Sequence, residues 1–337
     1  MKKTFSILLI ALALTSCKKK SSPVPDTSST STTPVVQDPT SFMQTIVSGS
    51  QFTARRWHRT AVFNSKIWLV GGEDNSSSTL GDLWNSADGI TWSQTTPTGV
   101  FPSSVAGCAM LVYNSKLWII GGFSAGPTST NNIYNSTDGL NWSQLANTGT
   151  KFSARHIFAA TVYNNEMWVI GGVTNGGSAG LTDIWSSSDG INWTQHTPSG
   201  AFFNGRFHQQ IAVLNNKLFL IGGYDSGSAY SDVWSTTDGI NWAKEVNSGV
   251  FFSNRFSHQV VVNGNTMYVI GGGITTGAGW TDEIWKSTNG STFTQVTMSS
   301  SFGIRRDFQA LVFNNKVCII GGYGGVGSYL NDIWMSN

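Results

Sequence analysis

Short apolar runs closing on a glycine pair recur along this chain: WLVGG at 68–72, WIIGG at 118–122, WVIGG at 168–172, FLIGG at 219–223, YVIGG at 268–272 and CIIGG at 318–322. The first glycines of successive pairs lie 50, 50, 51, 49 and 50 residues apart. Apolar residues at consecutive positions predict a strand covered on both faces. In the third repeat, HIFAATVY (156–163) predicts a strand a, and Asn164-Asn165 a tight turn. EMWVIGG (166–172) predicts strand b, DIWSS (183–187) strand c and INWTQHT (191–197) strand d, with a turn at Asp189-Gly190. Asn and Asp before Gly supply the positive φ angles that two-residue hairpins need.

The c–d turn has its own signature, SSDGINW at 187–193, with counterparts at 86–92, 136–142, 236–242 and 287–293. The Asp of that motif reads as turn chemistry. A sixth copy is missing because the last repeat ends after strand c, at Asn337. Residues 41–52, SFMQTIVSGSQF, align with STFTQVTMSSSF at 291–302, so the N-terminal segment is expected to supply the missing strand, with Phe42 in the tryptophan's place. Periods of this length with four short strands each favour radially stacked sheets over a solenoid. The expectation is an all-β, six-bladed β-propeller of four-stranded antiparallel blades over 41–337, closed by the N-terminal strand.

Composition agrees: 38 Gly among 337 residues serve many turns, and charged residues make up only 11 %. From Ser41 onward, 15 Lys and Arg face 16 Asp and Glu, which gives no basic footprint for nucleic acid. Residues 1–16 read as a signal peptide, with Lys2 and Lys3 before a short apolar run. LTSC, ending at Cys17, resembles the bacterial lipobox, which implies lipid attachment at Cys17. Residues 17–40, rich in Ser, Thr and Pro, read as a solvated tether. Lys18 after Cys17 lacks the aspartate that retains lipoproteins at an inner membrane, so a cell-envelope, outer-membrane location is expected. Cys108 and Cys318 fall in different repeats and read as buried free thiols.

The glycine pairs, an Arg sixteen positions before them (Arg55, Arg155, Arg206, Arg255, Arg305) and the downstream aromatic pair such as Trp84 and Trp92 resemble the kelch repeat family, the galactose oxidase-like class of propellers. The S-x-D-G-x-x-W turn also resembles a shortened Asp-box of sialidase-type propellers. The recurrent Arg has two readings: a ligand-binding ring, or structural pairs with Asp82, Asp183, Asp232, Asp282 and Asp332. The second repeat has Val105 and Asn132 in these places and lacks both partners.

Long, variable loops on a rigid scaffold are where binding residues concentrate, and here those are the b–c and d–a connections at one face. Candidates at the mouth of that face are Arg56, Trp57, His156, His208, Arg306 and Asp307. Around the rim are Glu73, Asp74, Phe123, Tyr224, Asp225, Tyr230, Trp280, Tyr323 and Tyr329. Aromatics among amides, carboxylates and guanidiniums suit sugar rings or a protein partner. The expectation is a monomeric binding module for a glycan or envelope protein, with no assigned catalytic residue, cofactor or metal. Glu73 and Asp225 fall in opposite blades, too far apart for a glycosidase pair. The resemblance raises one enzymatic alternative, a sugar mutarotase or epimerase of the sialic acid type, using Arg56, Arg305, Arg306 and Asp307. A copper-radical site would need clustered histidines, but His58, His156, His208 and His258 are spread over four repeats.

Overall fold

The computed structural model describes residues 37–46, 51–126, 128–146, 148–200, 202–246, 251–274, 279–325 and 327–337. Cys17, the signal segment and most of the tether lie outside these residues. Asp38 and Thr40, read as tether, are bonded to the domain. Tyr268 donates to Asp38 Oδ1 at 2.9 Å, Lys286 pairs with Asp38, and the Ser299 amide donates to the Thr40 carbonyl at 2.7 Å.

The described residues form strands that pair antiparallel, apart from Asn141–Gln144, which runs parallel to Thr98–Gly99, and a parallel bridge between Ser41 and Ser300. Six hairpins follow the glycine-pair runs, among them Arg59–Phe63 with Lys66–Asp74, and Gln309–Phe313 with Lys316–Gly324. Five of them turn on residue pairs with both φ angles positive, such as Asn164 at 48° and Asn165 at 59°, which matches the strand twist. The second strand of each hairpin is buried on both faces: Leu69, Val70, Ile119, Ile120, Val169 and Ile170 are all fully covered. A third strand pairs with it, and a fourth closes the repeat, as in Glu166–Ile170, Ile184–Ser187 and Thr194–His196.

One aromatic contact recurs between the d–a connection and strand d. Phe52 meets Trp92 at 5.1 Å, Phe152 meets Trp193 at 4.9 Å and Phe203 meets Trp242 at 5.3 Å, all edge to face. Phe302 meets Phe42 in the same way at 5.0 Å. Phe42 is buried, and Phe42–Gln44 pairs antiparallel with Tyr329–Ser336, with Met43 opposite Met335. Phe42 thus occupies the tryptophan position of the last repeat.

The first strands of the hairpins lie side by side, and Gln309–Phe313 lies against Arg59–Phe63. Above them, six residues form a hydrogen-bonded circuit. Trp57 donates to the carbonyl of Asp307, Asp307 to Ser257, Ser257 to His208, His208 to Ile157, Ile157 to Gly107 and Gly107 to Trp57, at 2.8 to 3.2 Å. All six have φ between 52° and 58°, including β-branched Ile157. Left-handed backbone is costly for every one of them except Gly107, so the circuit is held by the packing beneath it. Cys108 and Cys318 are buried and free.

Candidate functional site

The recurrent arginines sit inside the fold. Arg55, Arg155, Arg206, Arg255 and Arg305 are at most 2 % exposed. Each guanidinium donates to the carbonyl of the first glycine of its own pair, as Arg155 does to Gly171 at 2.9 Å, which explains the spacing of sixteen. Arg55, Arg155, Arg206 and Arg305 also grip Asp82, Asp183, Asp232 and Asp332 with two hydrogen bonds each. The same carboxylates accept from the indoles of Trp84, Trp185, Trp234 and Trp334 at 2.7 Å. Bidentate pairing of this kind fixes three strands to one another.

The fifth repeat corrects the expected set. Arg255 pairs with Glu283 at 3.0 Å and not with Asp282, which accepts from Ser301. The acid must stand two residues before the tryptophan, so that one carboxylate serves both indole and guanidinium; in WTDEIW that position is Glu283, whose partner is Trp285. The second repeat, without Arg and Asp, buries Val105 in the arginine's place.

At the mouth, the hydrogen-bonded circuit presents Trp57, His208, Ser257 and Asp307. Ser257 Oγ lies 2.6 Å from His208 Nδ1, and Asp307 Oδ1 lies 3.6 Å from the same nitrogen. A serine–histidine–acid relay needs its two partners on different ring nitrogens, so these three residues do not form one. Burial brings His208 down to about 4, against the opposing pull of Asp307. His156, with Nδ1 2.8 Å from Ser129 Oγ, is likewise brought to about 4 by burial. Both imidazoles are neutral at pH 7.

Around the mouth, side chains from the first, fifth and sixth repeats form a continuous belt. Arg56 pairs with Glu73 at 2.7 Å and lies over the Trp57 ring at 3.8 Å and the Tyr329 ring at 4.9 Å. Tyr329 donates to Glu73 at 2.8 Å; burial first, then Glu73, pushes its phenol up to about 12, which keeps it a donor. Tyr323 links Tyr329 at 5.3 Å to Trp280 at 4.7 Å, and Arg306 lies over Trp280 and Tyr323 at 5.3 and 5.2 Å. The belt continues through Phe256 to Tyr224 on one side and from Trp57 through Phe123 to His156 on the other. Beside Trp280 a groove of about 370 Å³ is lined by Phe256, Ile274, Gly279, Ile304 and Gly325.

Of the candidates read from sequence, Arg56, Trp57, Glu73, His156, His208, Tyr224, Trp280, Arg306, Asp307 and Tyr329 come together here. Two do not. Asp225 accepts the Gly180 amide at 2.7 Å and ties two neighbouring loops. Tyr230 lies against the buried Arg206 at 4.2 Å and belongs to that clamp. Asp74 is turned back on its own loop, accepting from Ser76 and Ser78.

The sequence reading missed Ser129, Phe256, Ser257 and the channel below the mouth. That channel, about 110 Å³, is lined by Arg59, Thr60, Gln209, Gln210, Gln259 and Gln309, among others. Polar residues opening strand a where Ala109 and Ala159 stand in other repeats were the available signal. Arg59 donates to the Cys108 carbonyl at 2.6 Å, and burial lowers its pKa. Among the described residues, no group of three or more His, Cys, Asp or Glu is placed to hold a metal ion.

The sequence model of the family described as KLHDC2/KLHL20/DRC7 Kelch-repeats domain matches residues 35–223, more than half of the chain. No curated protein matches closely enough to count as a relative.

Proposed function

Because the chain belongs to the kelch-repeat family of β-propellers, we propose that it is a binding module: a closed ring of six blades, lipid-anchored through Cys17 at the outer membrane, that takes a glycan on the face bearing the aromatic–arginine belt. Three observations support the closed ring. Phe42–Gln44 pairs with Tyr329–Ser336, Phe42 repeats the tryptophan contact, and the hydrogen-bonded circuit returns to its starting residue. LTSC before the tether supports the anchor.

The observation that carries the glycan reading is the belt itself. Trp57, Trp280, Tyr323 and Tyr329 are partly exposed, contiguous, and interleaved with Arg56, Arg306 and Glu73. Flat apolar faces bordered by fixed donors and acceptors match the two sides of a sugar ring. A glycan array and a pulldown from envelope extract, each run with wild type and a Trp57→Ala, Trp280→Ala double variant, test it. Glycan signals lost in the variant support the reading. Signals confined to the pulldown and lost in the variant assign a protein ligand instead, and identical profiles discard the belt.

The mutarotase alternative needs Arg56, Arg305, Arg306 and Asp307 around one sugar. Arg305 is 2 % exposed and clamped to Asp332, which leaves Arg56 and Arg306 of these three arginines at the surface, so binding is favoured over turnover.

A further inference from the structure

Directly beneath the belt, the Asp307 side chain is buried, and neither carboxylate oxygen has a hydrogen-bond partner among the described residues. The nearest basic groups stand off: the neutral His208 at Nδ1, 3.6 Å away, and the Arg306 Nε at 3.8 Å. Trp57 Nε1 and Arg306 Nε, both donors, are also buried and unpartnered. Trp57 and Asp307 line a common cavity of about 20 Å³, space for one oxygen-sized group.

A buried carboxylate without a donor is costly, and φ of 57° adds backbone strain at the same residue. Two costs meeting at the channel mouth mark a place shaped for something other than folding. The chemistry selects the guest. An ammonium group would meet Arg56, Arg59 and Arg306, while a carboxylate or phosphate would meet Asp307. A hydroxyl both donates to a carboxylate and accepts from an N–H, so a ligand hydroxyl, taking the place a water would fill, satisfies Asp307 together with Trp57 or Arg306.

We propose that the mouth is a hydroxyl-reading subsite. A neutral sugar stacked on the belt inserts one hydroxyl or hydroxymethyl group between Asp307, Trp57 and Arg306. Arg306 borders the subsite: its side chain is 25 % exposed, its guanidinium rests on Trp280, Tyr323 and Phe256, and its Nε has no hydrogen-bond partner among the described residues. This inference rests on the glycan reading and adds to it the charge class of the ligand and the residue that reads it.

The test uses the purified full chain and calorimetric titration with methyl gluco-, manno- and galactopyranosides, their monodeoxy derivatives and the corresponding uronates. Wild type binds at least one parent sugar, and Asp307→Asn weakens it roughly 10- to 100-fold, the loss of a charge-assisted hydrogen bond. One deoxy derivative loses the same factor on wild type and nothing further on Asp307→Asn. Trp57→Phe, which keeps the ring but not the donor, shows a smaller loss on the same hydroxyl and carries the test if Asp307→Asn fails to fold. Equal affinity of wild type and Asp307→Asn, alongside lost binding in Trp280→Ala, overturns the subsite and leaves the belt standing; water alone then occupies the cavity. Failure of every sugar to bind wild type overturns both, and preference for uronates over the neutral sugars overturns the subsite.

Discussion

The amide of Trp57 donates to the carbonyl of Asp307 at 3.2 Å, joining the first and last repeats over the channel. Both residues are in the left-handed region, which turns their side chains toward the mouth while their backbones complete the circuit. One contact therefore serves both architecture and site: the belt spans the seam, with Arg56 and Glu73 on one side and Tyr329 on the other.

The buried clamps predict a graded stability series. Arg155→Ala strands Asp183 and removes a fully covered guanidinium, and is expected to cost about 3–5 kcal/mol in denaturant unfolding. Glu283→Ala, at a pair whose acid is 38 % exposed, costs about 1–2 kcal/mol. Asp282→Ala costs less than about 1 kcal/mol. A larger loss from Asp282→Ala than from Glu283→Ala contradicts the observed pairing.

That pairing marks the limit of what the sequence discloses. The period, the hairpins, the turn residues and the strand-completing role of Phe42 are legible because each repeats or fills a gap in a repeat. Glu283 was missed because counting forward along the fifth repeat lands on Asp282; counting back from Trp285 finds the right acid. Trp57, Arg306 and Asp307 stood out as departures from the repeat. Their mutual placement did not, because it depends on which loops meet across the seam. Asp225 and Tyr230 look the same as site residues in a sequence, since loop ties and clamp covers use the same residue types.

Acid should destabilise the protein in two stages. Burial holds His58 and His258 well below the ordinary histidine range and brings His156 and His208 to about 4. Unfolded histidines protonate near pH 6.5, so the unfolded chain binds more protons between about pH 6.5 and 4. Stability is therefore full above this window and falls as pH drops through it, by up to about 1.4 kcal/mol per pH unit for each histidine. Below pH 4 the turn carboxylates follow. Asp138 is held low by the Asn141 amide above all, and Asp189, which burial pushes up, is brought to about 2 by donors from Asn192 and Ile191. Their contribution, present above pH 4, is lost as pH falls toward 2. Melting temperatures from pH 8 to 3 check this, and a flat profile between 6.5 and 4.5 contradicts it.

Ring closure predicts a cross-link. Met43 lies opposite Met335, so Met43→Cys with Met335→Cys is expected to form a disulfide under mild oxidation and to raise the melting temperature, with about 5.7 kcal/mol as the loop-entropy ceiling. Cys108 and Cys318 are buried, and burial pushes their thiols up to about 11 and 12, so neither competes. Peptide mapping that finds both introduced thiols free contradicts the strand pairing.

Asp307→Asn should separate stability from binding. Asparagine tolerates φ near 57° better than most residues and carries no charge into the buried site. The variant is expected to be about 0.5–1.5 kcal/mol more stable than wild type by thermal unfolding. A loss beyond 1 kcal/mol would make Asp307 a structural residue.

The location of the binding face is tested most directly by nitrogen-15 labelling of tryptophan and NMR of the indole signals during titration with a bound sugar. Trp57 and Trp280 are expected to shift together and saturably, while Trp92 and Trp193, buried 2 % and 3 % exposed between sheets, stay in place. Saturable binding that moves neither Trp57 nor Trp280 contradicts the account.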